Sequence, residues 1–342
     1  MLQQLLQQAD FLKLTLANPL ASPTASATIA GHTQVELWDS GVVVFSPLAA
    51  VAHHDIVLSC GIHGNETAPI ELCNRLIHNI IKQTLPLRQR VMFIFGNPPA
   101  MIKGTRFVEE NLNRLFNGAH GEGNGPQNAE RQRAARLEHH VRRFFETGGG
   151  QRLHYDLHTA IRASRHERFA VCPYRPGKPH SKRQLALLNA GGVEAFLLHH
   201  EPTTTFSYAS SANFAAEAFT VELGKVHPFG QNDPQQLAPM QALLSNLLSQ
   251  PQLPDAEFQP ETLMIYRVCR VITKHYPDFA FTFDGRLPNF TRFAKGEVLA
   301  MENGQPVVAE HDDEAIVFPN SHIPVGQRAA LCVVPEMSAT LA

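Results

Sequence analysis

The chain has 342 residues, 44% of them hydrophobic and 18% charged, with a formal net charge of −2. That length and apolar content suit two ordinary globular domains of enzyme size. The near-neutral balance gives no basis for a nucleic-acid or membrane-surface partner, and no apolar run approaches the ~18 residues a membrane-spanning helix needs.

At the N-terminus, Met1-Leu2-Gln3-Gln4-Leu5-Leu6 lacks the basic region and long apolar core of a secretory leader. It reads as a short amphipathic helix with Leu2, Leu5, Leu6 and Leu12 near one face. From about residue 40 to 250, strand-like runs alternate with helical ones. Gly41 to Phe45 is expected as a strand at a sheet edge and Asp55 to Ser59 as the next, followed by a helix from about Thr67 to Lys82. Arg90 to Phe95 is strand, stopped by Gly96-Asn97-Pro98-Pro99. Ala129 to Glu146 is a charged helix, and Leu153 to Leu157 a short strand ending at His158. Phe169 to Cys172 and Ala195 to Leu198 are strands around a helix from Ser181 to Asn189. Phe219 to Val221 leads into Glu222, and Pro234 to Ser249 is helical. Strands separated by helices predict an α/β fold with a largely parallel or mixed sheet covered on both faces.

The pattern changes at Gln250-Pro251-Gln252-Leu253-Pro254. Beyond it, short strands punctuated by Gly and Pro (Tyr266 to Ile272, Phe279 to Phe283, Glu297 to Met301, Pro306 to Val308, Ala315 to Phe318, Ala330 to Val334) predict a small all-β domain. The expected division is 1–250 and 255–342. The five cysteines (60, 73, 172, 269 and 332) are scattered, odd in number and form no C-x-x-C pair. They fit buried free thiols in a reducing cytoplasm, which is the expected location.

The chemistry gathers at strand ends. His63 and Glu66 lie in Gly61-Ile62-His63-Gly64-Asn65-Glu66, between the 55–59 strand and the helix after it. Ligands bind at that edge of α/β sheets. An imidazole and a carboxylate at this spacing can share one zinc ion, although in a chain with 18 His such a pair also arises by chance. His158, in Tyr155-Asp156-Leu157-His158-Thr159, comes to the same edge, with Asp156 on its face of the strand to orient a ligating ring. A hydrogen-bonded core histidine is the alternative. Glu222, after Phe219-Thr220-Val221, is either a general base beside zinc-activated water or a solvated strand terminus. Arg106, Asn113 and Arg114 lie on an irregular stretch and suit carboxylate recognition; the alternative is surface charge.

Taken in order, His63-x-x-Glu66, Arg106, Asn113-Arg114, His158 and Glu222 resemble the site pattern of the zinc carboxypeptidase superfamily. Asp156-Leu157-His158-Thr159-Ala160-Ile161-Arg162, Glu222-Leu223-Gly224-Lys225 and Phe318-Pro319-Asn320 narrow the resemblance to its succinylglutamate desuccinylase/aspartoacylase branch, over nearly the whole chain. The resemblance implies one zinc ion per subunit, held by His63, Glu66 and His158. It implies Glu222 as general base, then acid, and Arg106 at the oxyanion. Asn113 and Arg114 would bind a substrate carboxylate. It also implies hydrolysis of N-succinyl-L-glutamate to succinate and glutamate, the last step of the arginine succinyltransferase pathway. The β domain would wall the cleft. N-acetylaspartate is the alternative substrate.

Tyr208 is a loose match to a Tyr that aspartoacylases bring to substrate, and position 212, where some carry an Arg, is Ala. Three substrate carboxylates ask for further cations, and Arg162 or Lys225 is expected to supply one. A C-terminal peptidase and a zinc-binding protein on a dead scaffold are weighed against this. The β domain disfavours the first and retention of Glu222 and Arg106 the second. The expected partner is thus a small molecule bearing several carboxylates, with a homo-oligomer left open.

Overall fold

The computed structural model describes residues 1–21, 23–48, 52–123, 128–336 and 341. Two short helices, α1 (Leu2–Gln8) and α2 (Phe11–Ala17), precede three strands, β1 (Ala25–Ile29), β2 (Thr33–Asp39) and β3 (Val42–Pro47). Next come β4 (His54–Cys60), α3 (Thr67–Ile81), β5 (Arg90–Phe95), α4 (Pro98–Lys103), α5 (Ala129–Glu146), β6 (Gln151–Ala160) and β7 (Arg168–Cys172). Then follow α6 (Lys182–Ala190), β8 (Ala195–Leu198), α7 (Phe206–Phe214), β9 (Glu217–Lys225) and α8 (Pro234–Ser249). The C-terminal part holds β10 (Met264–Thr273), β11 (Ala280–Phe281), β12 (Thr291–Phe293), β13 (Val298–Glu302), β14 (Gln305–Val308), β15 (Glu314–Val317) and β16 (Arg328–Pro335).

One mixed sheet runs β1-β2-β3-β5-β4-β6-β9-β7-β8-β10-β16-β15-β12, and β11-β13-β14 form a second. Its centre, β5-β4-β6-β9, is parallel. β4 is buried along its whole length. Ile56 and Leu58 face one core with Cys73, Leu76, Ile77 and Ile80 of α3, at helical spacing. Val57 faces the other, with Leu137 and Phe144 of α5, Phe206 of α7, and Leu112 and Phe116. Full burial of each such side chain is worth about 1.5–3 kcal/mol.

The strand expected at an edge, β3, is interior, because β1 and β2 add outside it. Thr33-Gln34-Val35-Glu36-Leu37 carries the period-2 alternation of a strand that signals this. The N-terminal helix is two, since Ala9 takes a left-handed conformation and Asp10 caps the second by accepting from the Lys13 amide. Pro98 and Pro99 open α4 rather than end order, with Asn97 as the cap. Proline is tolerated in a first turn, where its missing N–H has no helical partner.

Beyond α8 the described residues hold only strands and one 3₁₀ turn, Pro260–Thr262. β10 pairs in parallel with β8, so these strands continue the main sheet. Phe169, Ala195 and Leu197 share a core with Tyr266, Val268, Leu331 and Val333. That shared core fixes the C-terminal strands against the edge where the site lies.

Candidate active site

The chain leaves β4 through two glycines that the turn requires. Gly61 has φ +62, and a Cβ on Gly64 would lie 2.1 Å from the Ala100 carbonyl carbon. This turn presents His63 and, just before α3, Glu66. The Glu66 carboxylate does not cap α3. Its Oε1 lies 2.8 Å from His63 Nδ1 and its Oε2 lies 2.8 Å from His158 Nδ1. These three donor atoms fall within 4.8 Å of one another, and all three residues are buried.

The outer nitrogen of each ring is held. His63 Nε2 donates to Asn111 Oδ1 (3.0 Å) and His158 Nε2 donates to Asp156 Oδ2 (2.9 Å). An amide oxygen only accepts, so with a metal at Nδ1 His63 would carry its proton on Nε2, toward Asn111. Asp156 in turn accepts from the Ser59 hydroxyl, which also meets His154 Nε2 at 2.8 Å. Two imidazole nitrogens and a carboxylate oxygen, each oriented from behind, fit a zinc centre with a position open to the cavity. Asp156→Asn is expected to weaken metal affinity by about 10–100-fold with the fold intact, read by competition with a chromogenic chelator.

Burial works against charge here, and neighbouring groups decide the outcome. Burial, then the Arg106 charge, lowers His63 to about 4. Burial pushes Glu66 up, but His63 and His158 outweigh it and hold the carboxyl well below its ordinary range. Burial lowers His158, but Asp156 and Glu66 overcome it and raise the ring well above the ordinary value. Glu222 stands directly across from His158 in the parallel β6–β9 register. Burial, then the Glu66 charge, lifts its carboxyl to about 7. Among the described residues its buried Oε2 has no hydrogen-bond partner.

Glu130 of α5 holds the stretch that carries the arginines. Its carboxylate accepts from the backbone amides of Val108 (2.6 Å), Glu109 (3.0 Å) and Glu110 (3.0 Å) and from Asn97 Nδ2. Glu130→Ala strands buried donors and is expected to destabilise the protein by roughly 2–4 kcal/mol in denaturant unfolding. Wild-type stability in that variant would remove Glu130 as the clamp. Arg106 reaches Glu66 Oε1 at 2.7 Å. Asn113 accepts from the Phe206 amide through Oδ1, and its Nδ2 has no partner among the described residues. The Arg114 guanidinium bonds its neighbour's carbonyl, Asn113 O (2.7 Å).

Metal-type ligands, Glu222 and these three residues line a cavity of about 350 Å³. The C-terminal part closes it with Asn289, Phe318 and Asn320 from its connecting segments and Arg328 from β16. Arg162 also lines it, but its guanidinium is spent on the carbonyls of Pro319 (2.9 Å) and Gly285. Lys225, at the end of β9, is exposed and outside the lining. Tyr208 is buried in the first turn of α7, which lines the cavity through Ser207 and the capping Thr205 instead. Cys60 is buried beside Cys73 and stands outside the ligand set; burial raises its thiol well above the ordinary value. A second ligand-type group, Cys269, His311 and Glu314, is already committed: Glu314 holds Arg270 and accepts from the amides of Glu310 and His311.

Residues 52–248 match the succinylglutamate desuccinylase/aspartoacylase catalytic domain, and 261–336 match the AstE/AspA barrel-sandwich hybrid domain. The chain belongs to the succinylglutamate desuccinylase/aspartoacylase family. It is 53% identical over 337 residues, 98% of each chain, to a succinylglutamate desuccinylase of Shewanella frigidimarina. Among solved structures it resembles the succinylglutamate desuccinylase of Vibrio cholerae, with TM-score 0.84, 35% identity and 95% and 94% of the two chains covered. It also resembles that of Chromobacterium violaceum, with TM-score 0.83, 36% identity and coverage of 96% and 98%.

Within this family member three groups at the site escape sequence reasoning: Asn111 behind His63, the Ser59–His154 pair behind Asp156, and Arg328. Asn111 stands two residues before Asn113 in a stretch already singled out. Arg328 gives no local signal, since a lone Arg before an apolar strand reads as surface.

Proposed function

We propose that the protein is a zinc-dependent amidohydrolase that cleaves N-succinyl-L-glutamate to succinate and L-glutamate, completing the arginine succinyltransferase route in the cytoplasm. The observation that carries the reading is Glu222, a buried carboxylate with an oxygen unpartnered among the described residues, across from His158 and in the same cavity as Arg106, Arg114 and Arg328. That the relatives are named succinylglutamate desuccinylases supports the substrate.

His63, Glu66 and His158 would hold the metal. Zinc, when bound, supplies Lewis acidity and lowers the pKa of water. Glu222 takes a proton from the attacking water as its oxygen adds to the acyl carbon. Arg106, beside Glu66, donates to the carbonyl oxygen as negative charge develops there. The C–N bond then breaks, and Glu222 returns its proton to the departing glutamate nitrogen. Asn113 Nδ2 and Arg114 bind carboxylate oxygens of the substrate.

The test is product analysis by proton NMR with zinc-loaded protein. Succinate and glutamate in equal amounts from N-succinyl-L-glutamate, with N-acetylaspartate turned over at least about 10²-fold more slowly, is the expected result. Preference for N-acetylaspartate would overturn the substrate assignment.

A further inference from the structure

We infer that Arg328, on the C-terminal β16, binds one carboxylate of the substrate, an inference that rests on the proposed reaction. Arg328 opens β16 in register with Thr273, and its guanidinium sits 5.9 Å over the Phe318 ring. Both side chains line the cavity.

Apart from Arg75, the other buried or half-buried arginines among the described residues have acceptors. Arg133 meets Asp39, Gly96 O and Phe95 O; Arg90 meets Asp55; Arg270 meets Glu314. Arg328 has neither an acceptor nor an acidic partner among the described residues. Its charged neighbours are cations: Arg106 acts on it, and it acts on Arg114. Burial, then Arg106, lowers it to about 10. A guanidinium taken from water without an acceptor is costly unless a ligand brings one.

The acidic side chains lining the cavity are Glu66 and Glu222, which the proposed metal set and base already use. Arg106 is paired with Glu66, whereas Arg114 and Arg328 line the cavity with no acidic partner among the described residues, an arrangement that suits a ligand with several negative charges. The Phe318 ring, 5.9 Å from the Arg328 guanidinium, attracts the cation without neutralising it. Because Arg328 belongs to the C-terminal strands, those strands would take part in choosing the substrate as well as enclosing it.

The test compares wild type, Arg328→Gln and Arg328→Lys on N-succinyl-L-glutamate and three analogues. Each analogue lacks one carboxylate: N-butyryl-L-glutamate, N-succinyl-L-glutamine and N-succinyl-4-aminobutyrate. The Gln variant is expected to lose on the order of 10²-fold in kcat/KM on the full substrate, mostly through KM, with zinc content and melting temperature unchanged. It should lose under about threefold on the one analogue missing the carboxylate that Arg328 reads, and Lys should recover part of the loss. Equal losses on all four compounds, or none, would overturn the inference. If the Gln variant does not fold, the Lys variant carries the same comparison. If wild type cleaves none of the four, the proposed reaction falls and succinate binding by calorimetry decides: weaker binding in Arg328→Gln keeps the inference, and equal binding overturns it.

Discussion

Glu222→Gln is expected to lower kcat by about 10³-fold while zinc content stays at one per chain. Glutamine keeps the shape and burial of the side chain but cannot take a proton. Glu222 lies outside the donor cluster of His63, Glu66 and His158, so metal loading should survive. The pH profile adds a second reading. Burial and the Glu66 charge lift the Glu222 carboxyl from 4.5 to about 7. A base works only when ionised, so kcat/KM should fall as pH drops below neutrality. A bound cation pulls the midpoint of that limb to about 7 or lower, and the Gln variant should lack the limb.

The same shift has a stability sign. The folded, metal-free state favours the protonated acid, so stability present below pH 4.5 is lost as pH rises through about 7. Metal-free Glu222→Gln is therefore expected to melt higher than metal-free wild type at pH 8. A variant with kcat within threefold of wild type would remove Glu222 from the chemistry.

Glu66→Ala should have an effect of similar size by a different route. It removes the oxygen donor shared by the two histidines, and with it the acceptor of Arg106 (2.7 Å) and of the Thr159 amide (3.1 Å). Zinc should drop from one equivalent to less than about a tenth after dialysis, with kcat/KM down more than about 10³-fold. The uncompensated cluster should also cost about 3–5 kcal/mol of stability. Glu66→Gln, which keeps the size of the side chain and one acceptor oxygen but turns its NH2 toward either Arg106 or the Thr159 amide, separates loss of the carboxylate from loss of packing. In wild type, zinc-edge X-ray absorption should report nitrogen and oxygen at about 2.0–2.2 Å and no sulfur near 2.3 Å. A sulfur shell would move the metal to the Cys269, His311 and Glu314 group. Stoichiometric zinc in Glu66→Ala would equally contradict the assignment.

Much of this site is legible from residue order because strand ends concentrate it. His63, Glu66, His158 and Glu222 each follow or close an apolar run, and a parallel sheet brings such ends to one edge. The β1–β2 pair was equally readable from its alternation. What escaped depends on non-local placement. Nothing near residue 225 shows that Lys225, three residues past Glu222, ends β9 exposed and outside the cavity. Nothing near 162 shows that carbonyls at 285 and 319 use its guanidinium. Arg328 acquires a role only once β10 pairs with β8 and carries β16 alongside. Nearness in sequence to His158 and Glu222 singles out Arg162 and Lys225, whereas Arg328 lines the cavity from 166 residues beyond Arg162 in the chain (328 − 162).

The most direct measurement is a zinc titration of the metal-free protein, following glutamate release from N-succinyl-L-glutamate. Activity should rise linearly from near zero, reach a plateau at one equivalent of zinc per chain, and stay near zero throughout the same titration of Glu222→Gln. Full activity in the metal-free protein, or release that continues to climb to a second equivalent, would contradict a single zinc centre built from His63, Glu66 and His158.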